Sequence, residues 1–175
     1  MATKKKTFTA SSKSSTSNNM LPWLGISLIV LLLDQLSKIT IIKLLHYGQS
    51  MSITGFFNLV LVYNKGAAFS FLASASGWQR WFFIVLACGV SIGIGAWLIR
   101  LPANARKLTA AGLALVMGGA IGNVIDRFRL GSVVDFIHFH WDRAYFPAFN
   151  VADSAITVGA AFLLLDALLD SKRSS

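Results

Sequence analysis

The chain has 175 residues, of which 55% are hydrophobic and 13% charged, with a mean hydropathy of +0.63. Soluble domains carry about 25% charged residues, so this composition excludes an ordinary soluble enzyme and fits one membrane-embedded bundle. The formal net charge of +9 would suit nucleic acid, but the cations flank apolar runs (Lys4, Lys5, Lys6 and Lys13; Arg100, Arg106 and Lys107; Lys172 and Arg173), which is the pattern of membrane topology and gives no nucleic-acid partner.

Residues 1–19 are rich in Ser, Thr and Lys and are expected to form a disordered cytoplasmic tail. The apolar run that follows is too long for a signal-peptide core, and no small-x-small cleavage site succeeds it; it reads as a retained first span, Leu21–Leu45. Asp34 and Lys38 share a face of that helix at i,i+4, an internal ion pair that makes it tolerable in lipid. Residues 46–77 are β-rich, with Asn64-Lys65-Gly66 as a turn signal between two apolar runs. A second span is expected at Trp78–Ile99; it holds the lone cysteine, Cys88, so no intrachain disulfide forms. A third is expected at Leu108–Ile125, where "GLALVMGGAIGN" has small residues at helix-packing spacing. Asn123 and Asp126 share a face at i,i+3, with Arg127 and Arg129 alongside, and read as a structural polar cluster. Residues 126–149 include the β-prone "SVVDFIHFHWDRAYFP", and a fourth span is expected at Asn150–Leu169. Each span meets the need for about 20 apolar residues.

An even number of spans puts both termini on one side, and the basic loop and tails make that side cytoplasmic. Segments 46–77 and 126–149 then lie on the outer face. Trp78, Trp81 and Trp141 suit the outer interface and Trp97 the inner one. The boundaries are expected to be a tail over 1–19, a four-helix domain over 20–170 and a cytoplasmic tail over 171–175.

All seven acidic residues are Asp. Asp166 and Asp170 lie near Lys172 and Arg173 and read as helix-end charges; Asp142 adjoins Arg143 in a loop. Asp135 and Asp153 have no cation nearby in sequence, and both fall at the outer interface. "N-V-A-D" places Asn150 as the N-cap of the fourth helix and Asp153 at N3, as in a capping box. Asp135 lies among Val133, Val134 and Phe136, which offer its side chain no hydrogen bonds, so its pKa is expected to rise. Two carboxylates that meet can share a proton, one activating water and the other hydrogen-bonding the carbonyl under attack. The resting proton is expected on Asp135 and the charge on Asp153, which has the first-turn N–H groups of a helix beside it.

Other chemistries are weaker. His138 and His140 at i,i+2 would share a strand face, but no third ligand stands at a recognised spacing and no H-E-x-x-H occurs, so no metal or other cofactor is expected. No G-x-S-x-G elbow supports Ser/His/Asp catalysis. The rival from another class is a small proton-coupled transporter or channel, since buried Asp and an Asp–Lys pair also suit a proton relay; it predicts acids near the bilayer midplane.

Five ordered motifs, "DQLSK" at Asp34–Lys38, "YNKGAAFSF" at Tyr63–Phe71, "GGAIGNVIDR" at Gly118–Arg127, "VVDF" at Val133–Phe136 and "FNVADS" at Phe149–Ser154, resemble those of the bacterial lipoprotein signal peptidases (signal peptidase II, prolipoprotein signal peptidase), which are inner-membrane aspartyl proteases. The resemblance covers about residues 21 to 165. It implies four transmembrane helices with a periplasmic β-cradle and a short mobile helix over the site. It also implies prolipoprotein substrates cut just before a diacylglyceryl-modified cysteine, membrane lipid around the site, a monomeric enzyme without cofactor, and inhibition by globomycin. Asp135 and Asp153 would be the catalytic pair, Asn64, Gly66, Asn123, Arg127 and Asn150 supporting residues around the substrate, and Asp34, Lys38 and Asp126 structural or accessory.

Overall fold

The computed structural model describes residues 20–66, 77–101 and 106–174. The expected disorder of 1–19, the second half of the Tyr63–Phe71 motif and the centre of the basic loop lie outside the described residues. The elements are α1 (Leu21–Leu44), β1 (Ser50–Thr54), β2 (Phe57–Asn64), α2 (Trp78–Arg100), α3 (Lys107–Leu130), β3 (Val133–Trp141), β4 (Ala144–Tyr145) and α4 (Val151–Ser174).

All four helices are long and apolar enough to cross a membrane, where a helix satisfies its own backbone groups. They coincide with the expected spans except at the C-terminal ends of α3 and α4. The α3 helix runs on past Ile125 because Asp126 and Arg127 are buried in a polar site rather than ending the turn. It stops at Gly131, which takes a left-handed φ of +77° and donates its N–H to Arg127 O at 3.0 Å, a helix end that favours glycine. The α4 helix continues past Leu169 to Ser174.

The most buried helix is α3, and its glycines are the reason. A Cβ at Gly118 would lie 2.6 Å from Ser27 O, and one at Gly119 2.5 Å from Ala152 O. Without those side chains α1 and α4 approach α3 backbone to backbone, the close contact that small residues permit in membranes. Ser27 Oγ adds a hydrogen bond to Ala114 O at 2.8 Å. A second core forms where Ile94 and Leu98 of α2 meet Ala110, Leu113 and Met117 of α3. The outward faces carry exposed Leu32, Leu36, Val85, Ile92, Leu164 and Leu168, as expected for side chains turned to lipid.

The strands form one antiparallel sheet in the order β1-β2-β3-β4. Its first hairpin turns at Thr54–Phe57, around Gly55, earlier than the turn signal read at Asn64–Gly66. Asn64 instead ends β2 and accepts the Gly66 N–H on its Oδ1 at 2.9 Å, an Asx-type turn. The β3–β4 turn uses Asp142 at a φ of +51°, a conformation that Asp tolerates better than most residues. Ile41 of α1 and Leu45, its C-cap, pack with Leu61, Val134 and Phe136 in the core that seats the sheet on the end of α1.

Between β2 and β3 the register shifts: Leu59 pairs with Ile137, but Val62 pairs with Asp135. Two residues of β2 therefore oppose one of β3, a β-bulge. Because strand side chains alternate, the extra residue reverses the facing of the rest of β2. Val62 comes opposite Asp135, and Asn64 reaches the same face one diagonal step away. Phe149, just before α4, then pairs with Ile137: its N–H donates to Ile137 O, and its O accepts the N–H of Phe136 and Ile137. The start of α4 is thereby pinned against the strand that bears Asp135.

Candidate active site

The α4 helix opens with Asn150, whose Oδ1 accepts the Asp153 N–H at 2.9 Å, as the sequence leads one to expect of an N-cap. The Asp153 carboxylate also reaches across to α3, where Asn123 Nδ2 donates to its Oδ1 at 2.8 Å.

Asp135 is 2% exposed. The expectation that it lacks hydrogen bonds is corrected: Asn64 Nδ2 donates to its Oδ2 at 3.1 Å and Asn150 Nδ2 to its Oδ1 at 2.7 Å. Its sequence neighbours do bury it, but its donors come from β2 and the start of α4. Burial, reinforced by the Asp153 carboxylate, pushes the Asp135 carboxyl up to about 7, while the amides of Asn64 and Asn150 and the Lys38 ammonium pull the other way. A carboxylic acid near neutrality is a proton donor and acceptor at working pH.

Behind these acids the expected Asp34–Lys38 pair is part of a larger cluster. Lys38 Nζ lies 2.8 Å from Asp34 Oδ2, 2.8 Å from Asp126 Oδ2 and 3.0 Å from Asn123 Oδ1. Asp126 thus finds its cation on α1 rather than in the adjacent Arg127 or Arg129. Gln35 Nε2 donates to Asp126 Oδ1 at 3.1 Å. Gly122 makes room for the cluster, since a Cβ there would lie 2.6 Å from Asp34 Oδ2. Arg127 faces elsewhere: its Nη2 donates to Gly66 O at 2.8 Å and its guanidinium lies 4.9 Å from the Phe83 ring centroid, a cation–π geometry.

Asn64, Gly66, Asn123, Arg127, Asp135 and Asp153 line one cavity of about 480 Å³, walled by Phe146, Pro147, Phe149, Ile156 and Val158. The structure thereby brings together both candidate catalytic residues and four of the five supporting ones. Asn150 stands behind the wall as the buried hydrogen-bonding partner of Asp135, and Asp34, Lys38 and Asp126 form the layer beneath. The apolar wall escaped sequence reasoning; the available signal was that Ile156 and Thr157 follow Asp153 at i+3 and i+4, on its own helix face. A cavity with polar groups converging on one side and apolar groups on the other suits an extended, largely apolar peptide.

One peripheral expectation changes. Asp166 and Asp170 both pair with Arg106, joining the start of α3 to the end of α4, and Thr109 Oγ1 also donates to Asp166. His138 and His140 both stack on Tyr145, with ring centroids 5.6 Å apart in each case, and no group of three metal-ligating side chains occurs among the described residues.

Comparison with known proteins gives a consistent answer. The profile of the Signal peptidase (SPase) II family matches residues 26–169. The "Lipoprotein signal peptidase" of Burkholderia vietnamiensis (strain G4 / LMG 22486) is 57% identical over 152 residues, covering 87% of this chain and 90% of the relative. That of Ralstonia nicotianae (strain ATCC BAA-1114 / GMI1000) is 52% identical over 168 residues, covering 96% of each. A bacterial membrane enzyme solved by the in meso method superposes with a TM-score of 0.78 at 30% identity, covering 88% of this chain and 92% of that one. A transporter or channel is not favoured by any of these matches. Two acids on one cavity between a membrane-spanning bundle and a small sheet, within a chain matched over most of its length, mean that this chain belongs to the signal peptidase II family of aspartic peptidases.

Proposed function

We propose that Asp135 and Asp153 are the catalytic pair that cleaves the signal peptide from diacylglyceryl-modified prolipoproteins just before the lipidated cysteine. The observation that carries this is that both carboxyl groups line the same cavity while being held by different amides, Asn64 and Asn150 on one and Asn123 on the other. A water between them loses a proton to the ionised acid and adds to the scissile carbonyl. The protonated acid donates to the carbonyl oxygen, giving a tetrahedral diol. Collapse of the diol breaks the C–N bond, and a proton passes to the leaving amine. Asn64, Gly66 and Arg127 are suited to hold the substrate backbone at the mouth of β2, and the β-rich sheet offers edges for an extended chain.

The resting proton is assigned to Asp135, on the strength of its burial. The pH dependence follows. With the carboxyl raised to about 7, the acid is protonated below that value and loses its proton above it. The kcat/KM for cleavage of a lipid-modified prolipoprotein is therefore expected to fall as pH rises through about 7. A profile flat from pH 6 to roughly 9, well past that range, would remove the proton-sharing role from Asp135. Absence of cleavage by the purified wild-type enzyme at any pH would remove the proposed substrate.

On this reading the site lies on the periplasmic face of the inner membrane, with both termini cytoplasmic; Arg100, Arg106, Lys107 and Lys172, which stand at the helix ends opposite those that lead into the sheet, support it. In a Cys88→Ala background, Thr54→Cys is expected to react with an impermeant thiol reagent in intact cells, and Lys172→Cys only after lysis. The reverse labelling would invert this topology. The enzyme is taken to act as a monomer with lipid around it.

A further inference from the structure

The charge cluster beneath the cavity is more specific than an ion pair serving only to carry α1 through lipid. Lys38, 2% exposed, is within hydrogen-bonding distance of Asp34 Oδ2, Asp126 Oδ2 and Asn123 Oδ1, which matches the three donors of an ammonium. Each of those partners is engaged again on the side of the site. Asn123 receives Lys38 on its carbonyl oxygen, so the group it presents to Asp153 is the amide Nδ2. Asp34 Oδ1 accepts the backbone N–H of Ala152 at 2.9 Å, and Asp126 Oδ2 accepts that of Val134 at 3.1 Å. Ala152 and Val134 are the residues immediately before Asp153 and Asp135.

We infer that Lys38 is a positioning residue for both acids: its ammonium locks the Asn123 amide in the orientation that donates to Asp153 and, through Asp34 and Asp126, fixes the two backbone segments from which the acids project. This inference rests on Asp135 and Asp153 being the catalytic pair. Without the ammonium the Asn123 oxygen keeps only the longer hydrogen bond from Asn150 Nδ2, at 3.4 Å, and the amide is held less firmly against turning its oxygen to Asp153, an arrangement that favours a protonated carboxyl over an ionised one. Among the described residues, the charged groups that act on the pair are Lys38 and Asp34 from α1 and, across the cavity, Arg127 from α3, which also feels Asp126. Loss of Lys38 removes a cation joined to the pair by a hydrogen-bonded path, so the single negative charge needed to activate water is held less well.

The test uses the full chain in detergent micelles with a lipid-modified prolipoprotein. Lys38→Met leaves Asp34 and Asp126 buried with no counter-ion and so burdens folding as well. The double variant Asp34→Asn/Lys38→Met leaves the net charge of the cluster unchanged, and the new amide oxygen can still accept the Ala152 N–H. For the double variant kcat is expected to fall ~10- to 100-fold with KM within ~3-fold of wild type, the scale of lost outer-layer support. The acid limb of its kcat/KM profile is expected to move up by at least ~0.5 pH unit. Wild-type kcat with an unmoved acid limb, or a loss confined to KM, overturns the inference. Asp135→Asn and Asp153→Asn are assayed in parallel. If they are inactive while the double variant behaves as wild type, the positioning role alone fails; if they keep turnover, the catalytic pair itself is wrong.

Discussion

Asp135→Asn and Asp153→Asn are each expected to lower kcat by at least ~10³-fold, as for residues that act as one unit, while leaving a folded, membrane-inserted protein. The substitution is close to isosteric. An amide at position 135 can still pack against Val134 and Phe136, and its single oxygen can still accept from Asn150 or from Asn64, though not from both; an amide at 153 can still accept from Asn123, so most of the contacts that hold the fold remain. Neither amide can take a proton from water or pass one to the leaving amine. Combining the two is expected to add little to either alone, because once one acid is missing the other has no partner with which to share the proton. The measurement is single-turnover cleavage of a lipid-modified prolipoprotein, with thermal unfolding in detergent as the check on folding. Near-normal turnover by either single variant would end the assignment of the pair.

Asn150→Ala is expected to be the most damaging change outside the two acids. Asn150 is fully buried and works in two directions. Its Oδ1 caps α4 through the Asp153 N–H, and its Nδ2 donates to Asp135 Oδ1 at 2.7 Å and Val134 O at 3.2 Å. Loss of the cap costs about 1 kcal/mol, and leaving the Val134 carbonyl and Asp135 carboxyl short of a donor costs roughly 1–3 kcal/mol more. Turnover is expected to fall about 10²-fold, the scale of an ångström-sized misplacement of a reacting group. Asn150→Ser separates the two effects: a serine hydroxyl can cap the helix but lacks the reach and donors of the amide. Its melting temperature is expected to recover part of the loss while turnover stays low. Recovery of turnover alongside stability would mean that Asn150 acts only as a helix cap.

The buried polar layer also explains how a bundle so rich in apolar surface keeps its acids. Ionisable groups in a membrane are tolerated when they face the bundle interior with partners. Lys38 meets that condition by serving two carboxylates and an amide. At the other end of the bundle the partly exposed Arg106 pairs with Asp166 and Asp170. In both places an acid that seemed to belong with a cation nearby in sequence is held by one from another helix.

The four spans were legible in the sequence because span length is a local property: an apolar run of the right length has to satisfy its own backbone in lipid, wherever the other helices lie. The Asn150 cap was legible for the same reason, since donor and acceptor are three residues apart. Asp135 and Asp153 were singled out by the absence of a nearby cation in each local stretch, and the structure brings both to one cavity. The ordered motifs carried the family. The tertiary structure alone decided what surrounds the acids. Asn64 reaches Asp135 across 71 residues of chain, and only because the β2 bulge turns it to that face. Lys38 reaches Asn123 across 85 residues, and only because Gly118, Gly119 and Gly122 let α1 and α4 close on α3. The position of the first hairpin, the partner of Asp126 and the apolar wall of the cavity belong with these. Periodicity and spacing report what a segment does to itself, whereas a hydrogen bond between distant segments depends on register, bulges and helix separation, which are set only when the whole core packs.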